Sequence, residues 1–409
     1  MEHNGHSSMG GDRRGGKTPA VLLGDLNMLR CFAGTDVPVE VAASDPEEVT
    51  LKSRHCAKSR IIAPFAEVDR VLDDLERIGR DYPDKPVLYY GNDAQLLVIS
   101  RHRQRLGRWF RFQMPAPDLI EALVDKSQFA ELAPRAGIPV PATANSREAT
   151  SADQILERVP LPCVIKPNCH IGWYAMRRAG GPQKALRADT PEEFRRLYEE
   201  VLEHTNDFVV QQFIPGGEDL IYSFHAYVDA KGRSLGHYVG KKIRTYPMQA
   251  GVSTYLELIE DPRVVALGLD IVDRLGFSGP VKIDLKRDPR DGRFYVLELN
   301  PRYNLWHYLG ARSGINLPLL AHADLSGEPV EPQTRYRTGV RWLSFGNDFR
   351  SFIRDYRPNG GVSIGDYLGS LRSEKVYDVF AWDDPVPWAA SVLQYGKALG
   401  SRLLGSAGR

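Results

Sequence analysis

Oxygen-bearing side chains gather around a turn near residue 290 that has the composition of a β-hairpin. Two strand-like runs flank Asp288–Gly292, whose Pro and Asp-Gly residues are strong turn formers. With the turn centred near Asp291, Asp284 lies opposite Glu298. Asn300 shares the face of Glu298, because side chains alternate along a strand. Facing carboxylates repel each other, whereas Mg²⁺ binds oxygen ligands and usually keeps phosphate and water. The pattern favours a metal–phosphate site, and a solvent-exposed polar hairpin face is the alternative.

Three motifs precede this hairpin in the chain. Lys126 lies within a helix predicted from Asp118 to Gly137, Lys166 ends a strand-like run, and a Gln-Gln-Phe-Ile-Pro-Gly-Gly-Glu segment spans Gln211–Glu218. In this order, the motifs and the hairpin resemble the ATP-grasp superfamily, in which two α/β subdomains close on ATP and activate a carboxylate as an acyl phosphate. The resemblance covers roughly residues 119–328 and rests on the order of the motifs.

The resemblance implies a role for each matched residue. Two lysines hold the ATP phosphates, a hinge segment contacts the adenine edge, and an acid accepts hydrogen bonds from the ribose. The implied nucleotide-binding set is Lys126, Lys166, Gln211, Phe213, Ile214 and Glu218; the implied metal ligands are Asp284, Glu298 and Asn300; the implied basic groups at the reacting carboxylate and phosphate are Arg302, Lys242 and Lys282. The implied cofactors are ATP and Mg²⁺, with Mn²⁺ as an alternative ion.

Each of these residues also has a purely structural interpretation. A lysine that ends a strand, such as Lys166, is often a solvated surface charge, and Lys126 could equally face outward from its helix. Glu218 follows two glycines and could be a turn-adjacent surface acid. Arg302 could merely pair with a nearby acid. The loop 167–174, which contains a single glycine, stands where ATP-grasp enzymes keep a loop over the phosphates.

Strand-like and helix-like segments alternate before the matched region, which predicts an α/β fold with a parallel sheet. The turn after the first strand-like run, Ala20–Gly24, lacks the Gly-x-Gly-x-x-Gly pattern of a dinucleotide site. The expected domains are a disordered arm at 1–17, a parallel-sheet domain preceding the ATP-grasp module at 18–117, a two-subdomain ATP-grasp fold at 118–332 with a small lid subdomain at about 160–240, and a C-terminal extension at 333–409.

The composition restricts the partners. The 409 residues carry 53 Lys and Arg against 52 Asp and Glu, so no overall charge attracts nucleic acid or anionic membranes. The basic segment Arg101–Arg111 could bind nucleic acid, but a solvated helix is favoured. The sequence has no run of 18 apolar residues and no signal-peptide core. We expect a cytoplasmic protein without nucleic-acid or membrane partners. The sequence leaves the oligomeric state open, and a homodimer is one of the options.

The expected reaction is the ADP-forming joining of a carboxylate to an amine. A carboxylate reacts poorly with an amine, because its anionic oxygen is a poor leaving group, and phosphorylation removes this obstacle. Within the superfamily, the sequence is most similar to D-aspartate-ligase-like and carbamoyl-phosphate-synthase-like enzymes, which implies small carboxylate and amine substrates such as amino acids or peptides. A bicarbonate-activating enzyme and a non-catalytic nucleotide-sensing protein are the alternatives.

Overall fold

Three β-sheets organise the chain, which the computed structural model describes over residues 17–149, 151–168, 185–248, 251–359 and 361–406. The N-terminal arm expected at 1–17 lies outside these ranges except for its last residue. Most of the loop expected to cover the phosphates, from residue 169 onward, lies outside them as well.

The first sheet is parallel and has four strands in the order β3-β2-β1-β4. The strands are β1 (Ala20–Leu22), β2 (Val39–Ala43), β3 (Lys58–Ile61) and β4 (Val87–Tyr89). Alternate residues of β1 enter two different cores, since its side chains point to opposite faces. The helices here are Leu26–Arg30, Val68–Arg80, Asp93–Arg101 and Arg103–Leu106, with a 3₁₀ turn at Val49–Lys52. The parallel-sheet α/β domain expected from the sequence is therefore confirmed.

The second sheet is antiparallel and has four strands in the order β5-β8-β6-β7. The strands are β5 (Thr143–Asn145), β6 (Cys163–Pro167), β7 (Leu186–Ala188) and β8 (Phe208–Gln212), and the helices Ala152–Arg158 and Pro191–Leu202 belong with them. The lid subdomain was expected at about 160–240, but this sheet begins with β5 at Thr143 and ends with β8 at Gln212. A Pro-Gly-Gly segment follows β8, and the strands after it join the third sheet instead.

The third sheet has seven strands in the order β13-β12-β9-β10-β11-β14-β15. The strands are β9 (Ile221–Val228), β10 (Ser234–Tyr246), β11 (Val252–Ile259), β12 (Gly279–Arg287), β13 (Phe294–Asn300), β14 (Arg341–Leu343) and β15 (Lys375–Tyr377). The last two strands come from the expected C-terminal extension, which thus completes this sheet. The helices are Pro262–Arg274, His307–Ser313, Leu317–Ser326, Phe345–Ser351, Ile364–Ser370 and Val386–Ser406, with short turns at Glu218–Leu220 and Phe352–Tyr356.

The helix predicted from Asp118 to Gly137 is two helices, Pro117–Val124 and Lys126–Arg135. The break occurs at Asp125, whose carboxylate accepts hydrogen bonds from the backbone N–H groups of residues 127 and 128. This capping starts the second helix at Lys126. Asp118 is not a cap but lies in the first turn. Among the described helices, none has both the length and the apolar character needed to cross a membrane.

Candidate active site

The antiparallel pair β12–β13 sets the face of the candidate metal ligands. Asp284 is paired with Glu298, as the sequence predicted, and Lys282 is paired with Asn300. The register shifts between Asp284 and Leu285, which leaves Leu297 as a bulge. Asp284 and Asn300 are buried, whereas Glu298 is exposed on the edge strand. Oxygen ligands therefore lie side by side on one face.

Two lysines and a serine surround the carboxylate of Asp284. Lys242 Nζ lies 3.3 Å and Lys282 Nζ lies 3.1 Å from Oδ2, and the Ser223 hydroxyl donates to Oδ1. Burial alone would raise the pKa of Asp284, but the two lysines and the hydroxyl outweigh it and hold the pKa well below its usual range. Asp284 is therefore a fully ionised, buried carboxylate, which is the form that binds a cation.

Lys282 is held in a partly apolar setting. Its Nζ lies 4.7 Å from the ring centroid of Trp306, which is a cation–π distance. Burial lowers its pKa, and Lys242 nearby lowers it further, while Asp284 and Glu298 act in the opposite direction. This ammonium is thus fixed between an aromatic ring and the carboxylate pair.

The small antiparallel sheet contributes a second group of charges. Lys166 Nζ donates to Gln211 Oε1 at 2.6 Å, which crosses from β6 to β8. Burial lowers the pKa of Lys166 to about 8, with Glu298 raising it and Lys126 lowering it. The two lysines that the resemblance assigns to phosphates are therefore within electrostatic reach of each other and of the hairpin.

The segment between β8 and β9 joins the small sheet to the large one. Phe213 donates its backbone N–H to Pro162 at 2.8 Å, and Ile214 is buried. Glu218 is also buried and accepts a hydrogen bond of 3.1 Å from the Thr245 hydroxyl. Glu218 is therefore an interior carboxylate rather than the surface acid of the alternative interpretation.

Lys286 is a polar residue of this site that the sequence reasoning missed. Its Nζ donates to the backbone carbonyls of Gly216 at 2.8 Å and Gly217 at 2.6 Å. Burial lowers its pKa to about 8, whereas Glu218 and Asp219 raise it. The signal was present, because Lys282, Asp284 and Lys286 alternate along one strand and so share a face.

Arg302 links the hairpin to the N-terminal domain. Its guanidinium donates to Asn300 Oδ1 at 3.1 Å, to Asp93 Oδ1 at 2.5 Å and to the carbonyl of Gly91 at 3.3 Å. The pairing with an acid that the alternative interpretation suggested is thus present. Asn300 Oδ1 keeps a second lone pair that is free for a metal ion. Asp93 comes from the domain that precedes the matched region, and no motif in the sequence pointed to it.

The predicted residues fall into two neighbouring groups. The large sheet carries Asp284, Glu298, Asn300, Lys242 and Lys282, with Arg302 just after its strand β13 and Glu218 just before its strand β9, and the small sheet and its neighbouring helix carry Lys126, Lys166 and Gln211. Across the described ranges, no compact group of three or more His, Cys, Asp or Glu side chains forms a ready-made metal site. Two carboxylates and one amide nevertheless suit Mg²⁺, which characteristically completes its coordination with phosphate and water.

Comparison with known proteins relates the chain to two groups of enzymes by sequence, although no family model matches it. It is 24% identical over 334 residues to D-aspartate ligase of Enterococcus faecium, covering 78% of this chain and 79% of that protein. It is 26% identical over 268 residues to the carbamoyl phosphate synthase large chain of Gemmatimonas aurantiaca, covering 63% of this chain but only 23% of that longer protein.

Solved structures resemble the chain in fold. The biotin carboxylase domain of Hydrogenobacter thermophilus 2-oxoglutarate carboxylase, in complex with MgADP and bicarbonate, has a TM-score of 0.61 at 16% identity and covers 79% of this chain and 73% of that one. The L-amino acid ligase of Bacillus licheniformis has a TM-score of 0.58 at 18% identity, covering 77% and 75%. The chain therefore has the ATP-grasp fold expected from its motifs, and its sequence relatives are D-aspartate ligase and the large chains of carbamoyl phosphate synthase.

Proposed function

We propose that this protein is an ATP-dependent carboxylate–amine ligase that forms an amide or peptide bond and releases ADP and phosphate. The observation that carries the proposal is the ionised carboxylate of Asp284, held between Lys242 and Lys282 and paired with Glu298 across the hairpin. The similarity to D-aspartate ligase over most of the chain supports the same class of reaction.

In this proposal, the two sheets hold ATP between them. Lys126 and Lys166 contact the phosphates from the small sheet, and the segment containing Phe213 and Ile214 contacts the adenine. Glu218 accepts from the ribose hydroxyls. Mg²⁺ held by Asp284, Glu298 and Asn300 would neutralise phosphate charge and fix the orientation of the terminal phosphoryl group.

The lysines around Asp284 would change partners when the site is loaded. In the structure they neutralise its carboxylate, and a bound cation would take over that role. Lys242 and Lys282 would then be free to donate to the oxygens of the transferring phosphoryl group, where negative charge is concentrated. In the absence of a metal ion, Lys242 and Lys282 are thus held in ion pairs with Asp284, the residue that would bind the metal ion.

The chemistry proceeds in two steps that conserve atoms and charge. A carboxylate oxygen attacks the γ-phosphorus, the bond to the bridging oxygen of ADP breaks, and ADP leaves with that electron pair. The amine nitrogen then attacks the acyl carbon, phosphate departs, and the nitrogen loses a proton. Arg302, which lies between the hairpin and the N-terminal domain, would orient the substrate carboxylate by its paired N–H donors.

A change at the hairpin that removes one charge and keeps the side-chain size tests the proposal. Glu298→Gln keeps the size of an exposed side chain but removes a metal ligand, so ATP turnover should fall by about 100-fold or more while the fold is kept. Glu260→Gln, at an exposed position outside the site, is the matched control and should retain full activity. Circular dichroism checks the fold, and full activity of Glu298→Gln would remove the hairpin from the mechanism.

The identity of the products and substrates separates this proposal from its rivals. ADP and phosphate are expected, and AMP with pyrophosphate would contradict the acyl-phosphate route. A screen of ADP release should pair amino acids and small carboxylates with amines, with the mass of each product measured. Bicarbonate belongs in the same screen, because carbamoyl phosphate synthase is a relative and the biotin carboxylase domain was solved with bicarbonate. Nucleotide binding without turnover in every pair would favour the sensing protein.

A further inference from the structure

A polar cleft is lined by residues other than those assigned to the proposed active site. It has a volume of about 490 Å³ and is lined by residues of the N-terminal domain, the helix His307–Ser313 and the C-terminal extension. Its charged and hydroxyl-bearing lining includes Arg30, Arg54, Tyr308, Arg312 and Asp383. Volumes of this size are typical of small-molecule sites. None of these residues has a part in the ligase reaction proposed above.

Arg30 is buried at this cleft and is only partly satisfied. Its Nε lies 3.2 Å from Asp384 Oδ2, and its Nη2 donates to the carbonyl of Val379 at 2.7 Å. Its Nη1 is buried and has no hydrogen-bond partner among the described residues. A buried guanidinium N–H without an acceptor is costly. Arg30 therefore lines the cleft with a buried guanidinium, and its Nη1 is too deeply buried to contact a ligand there.

Two further donors stand beside Arg30. Tyr308 lies with its ring 6.0 Å from the Arg30 guanidinium carbon, and the charges within reach of its hydroxyl include Arg312, Asp383 and Arg30. Within the ranges that the structure describes, neither the Tyr308 hydroxyl nor the exposed Arg312 guanidinium makes a hydrogen bond or an ion pair. These two donors, both on the helix His307–Ser313, thus have no acceptor of their own among the described residues.

The negative charges nearby do not cancel this surplus. Asp384 is fully engaged, because its carboxylate also accepts from the Ser53 hydroxyl at 2.7 Å and from the Arg54 backbone at 3.0 Å. Asp383 is 61% exposed and lies 3.8 Å from His55 Nε2. Because Asp384 pairs with Arg30, the exposed Arg54 and Arg312 remain against the exposed carboxylate of Asp383, which leaves a surplus of one positive charge.

We propose that this cleft binds a small organic anion with a carboxylate or phosphate group, held by Arg54, Tyr308 and Arg312. Guanidinium groups suit both kinds of oxyanion, because their planar N–H donors match paired oxygens. The bound anion would connect the N-terminal domain to the C-terminal extension, since Asp383 and Asp384 anchor that extension next to Arg30. Binding would therefore stabilise the docking of the extension that supplies two strands of the large sheet.

The test is a calorimetric titration of the full chain with inorganic phosphate and, separately, with succinate, at millimolar concentrations. Arg312→Gln removes an exposed donor that supports no other contact, so it should weaken binding at the cleft by about tenfold or more. Arg108→Gln, an equally exposed arginine on the surface of the N-terminal domain, is the matched control and should bind as the unmodified protein does. Tyr308→Phe is a second variant that keeps the ring and removes the hydroxyl.

A third variant separates this cleft from the nucleotide site. Phosphate bound at the nucleotide site should be lost in Lys166→Met and kept in Arg312→Gln, whereas phosphate at the cleft should show the reverse. Weaker binding of phosphate or of succinate by Arg312→Gln and Tyr308→Phe than by Arg108→Gln supports the proposal. The anion whose binding is weakened more shows whether the cleft prefers a phosphate or a carboxylate group. No binding of either anion, or equal binding by Arg312→Gln, Tyr308→Phe and Arg108→Gln, overturns it. The outcome does not depend on ligase activity, because only binding is measured.

Discussion

The protonation of Lys166 should control nucleotide affinity near pH 8. Burial lowers the pKa of this lysine to about 8, even though Glu298 partly opposes the shift. Only the ammonium form attracts phosphate. Lys166 is protonated in about nine-tenths of the protein molecules at pH 7 but in about one-tenth at pH 9. A bound phosphate favours the charged form, so affinity is fully present below the pKa and is lost as the pH rises through it. The dissociation constant of ADP should therefore increase by about tenfold between pH 7 and pH 9.

Calorimetry with ADP and Mg²⁺ measures this effect directly. Repeating the titration at pH 8.5 in buffers of different ionisation enthalpy should reveal proton uptake on binding. Lys166→Arg is the control, because a guanidinium stays charged throughout this range and the pH dependence should flatten. Lys286 also has a pKa of about 8, so Lys286→Arg is needed to assign the slope. A dissociation constant that changes less than about twofold over this range, or an unchanged slope in Lys166→Arg, would refute the assignment.

Other substitutions test the packing and charges that hold the site. Asp284→Asn leaves buried ammonium groups unpaired and should destabilise the metal-free protein by about 3 kcal/mol in urea unfolding, and adding Lys282→Met should recover part of the loss. Gly268→Ala would place a methyl group against a buried phenylalanine ring and should cost about 1–3 kcal/mol by the same measurement. Gly396→Ala, on an exposed helix with open space around it, should be neutral or stabilising by up to about 1 kcal/mol. Arg302→Gln should raise KM for the carboxylate substrate more than it weakens ADP binding, as steady-state kinetics and calorimetry can compare.

The pairing of Asp284 with Glu298 could be predicted, although the centre of the turn and the register of the strands differ from those of the regular hairpin that was expected. The strands pair Arg287 with Phe294 at the turn, so the turn is centred just before Asp291. Without further adjustment, Asp284 would then face Leu297. The bulge at that residue restores the predicted pair. Bulges depend on the twist and packing of the whole sheet, so they cannot be predicted from the local sequence.

Element types were easier to predict than their assembly. The strands Phe208–Gln212 and Ile221–Val228 are rich in β-branched and aromatic residues, which is typical of strands. The sheet that each one joins was not apparent, because antiparallel partners are chosen by long-range burial rather than by local pattern. The same reason explains why the C-terminal segment, which was expected only as an extension, supplies β14 and β15 to the large sheet.

The sequence by itself determined which side chains could do chemistry here. Alternation along β12 and β13 and the Pro and Asp-Gly turn select Asp284, Glu298 and Asn300, and the bulge at Leu297 keeps them on one face of the hairpin. Only the tertiary structure decided their electrostatic state. Ser223 and Lys242 reach Asp284 from two other strands, and Asp93 meets Arg302 across 209 residues of chain. These contacts could not be read from spacing, because desolvation and charge pairing depend on what the folded chain brings within a few ångströms.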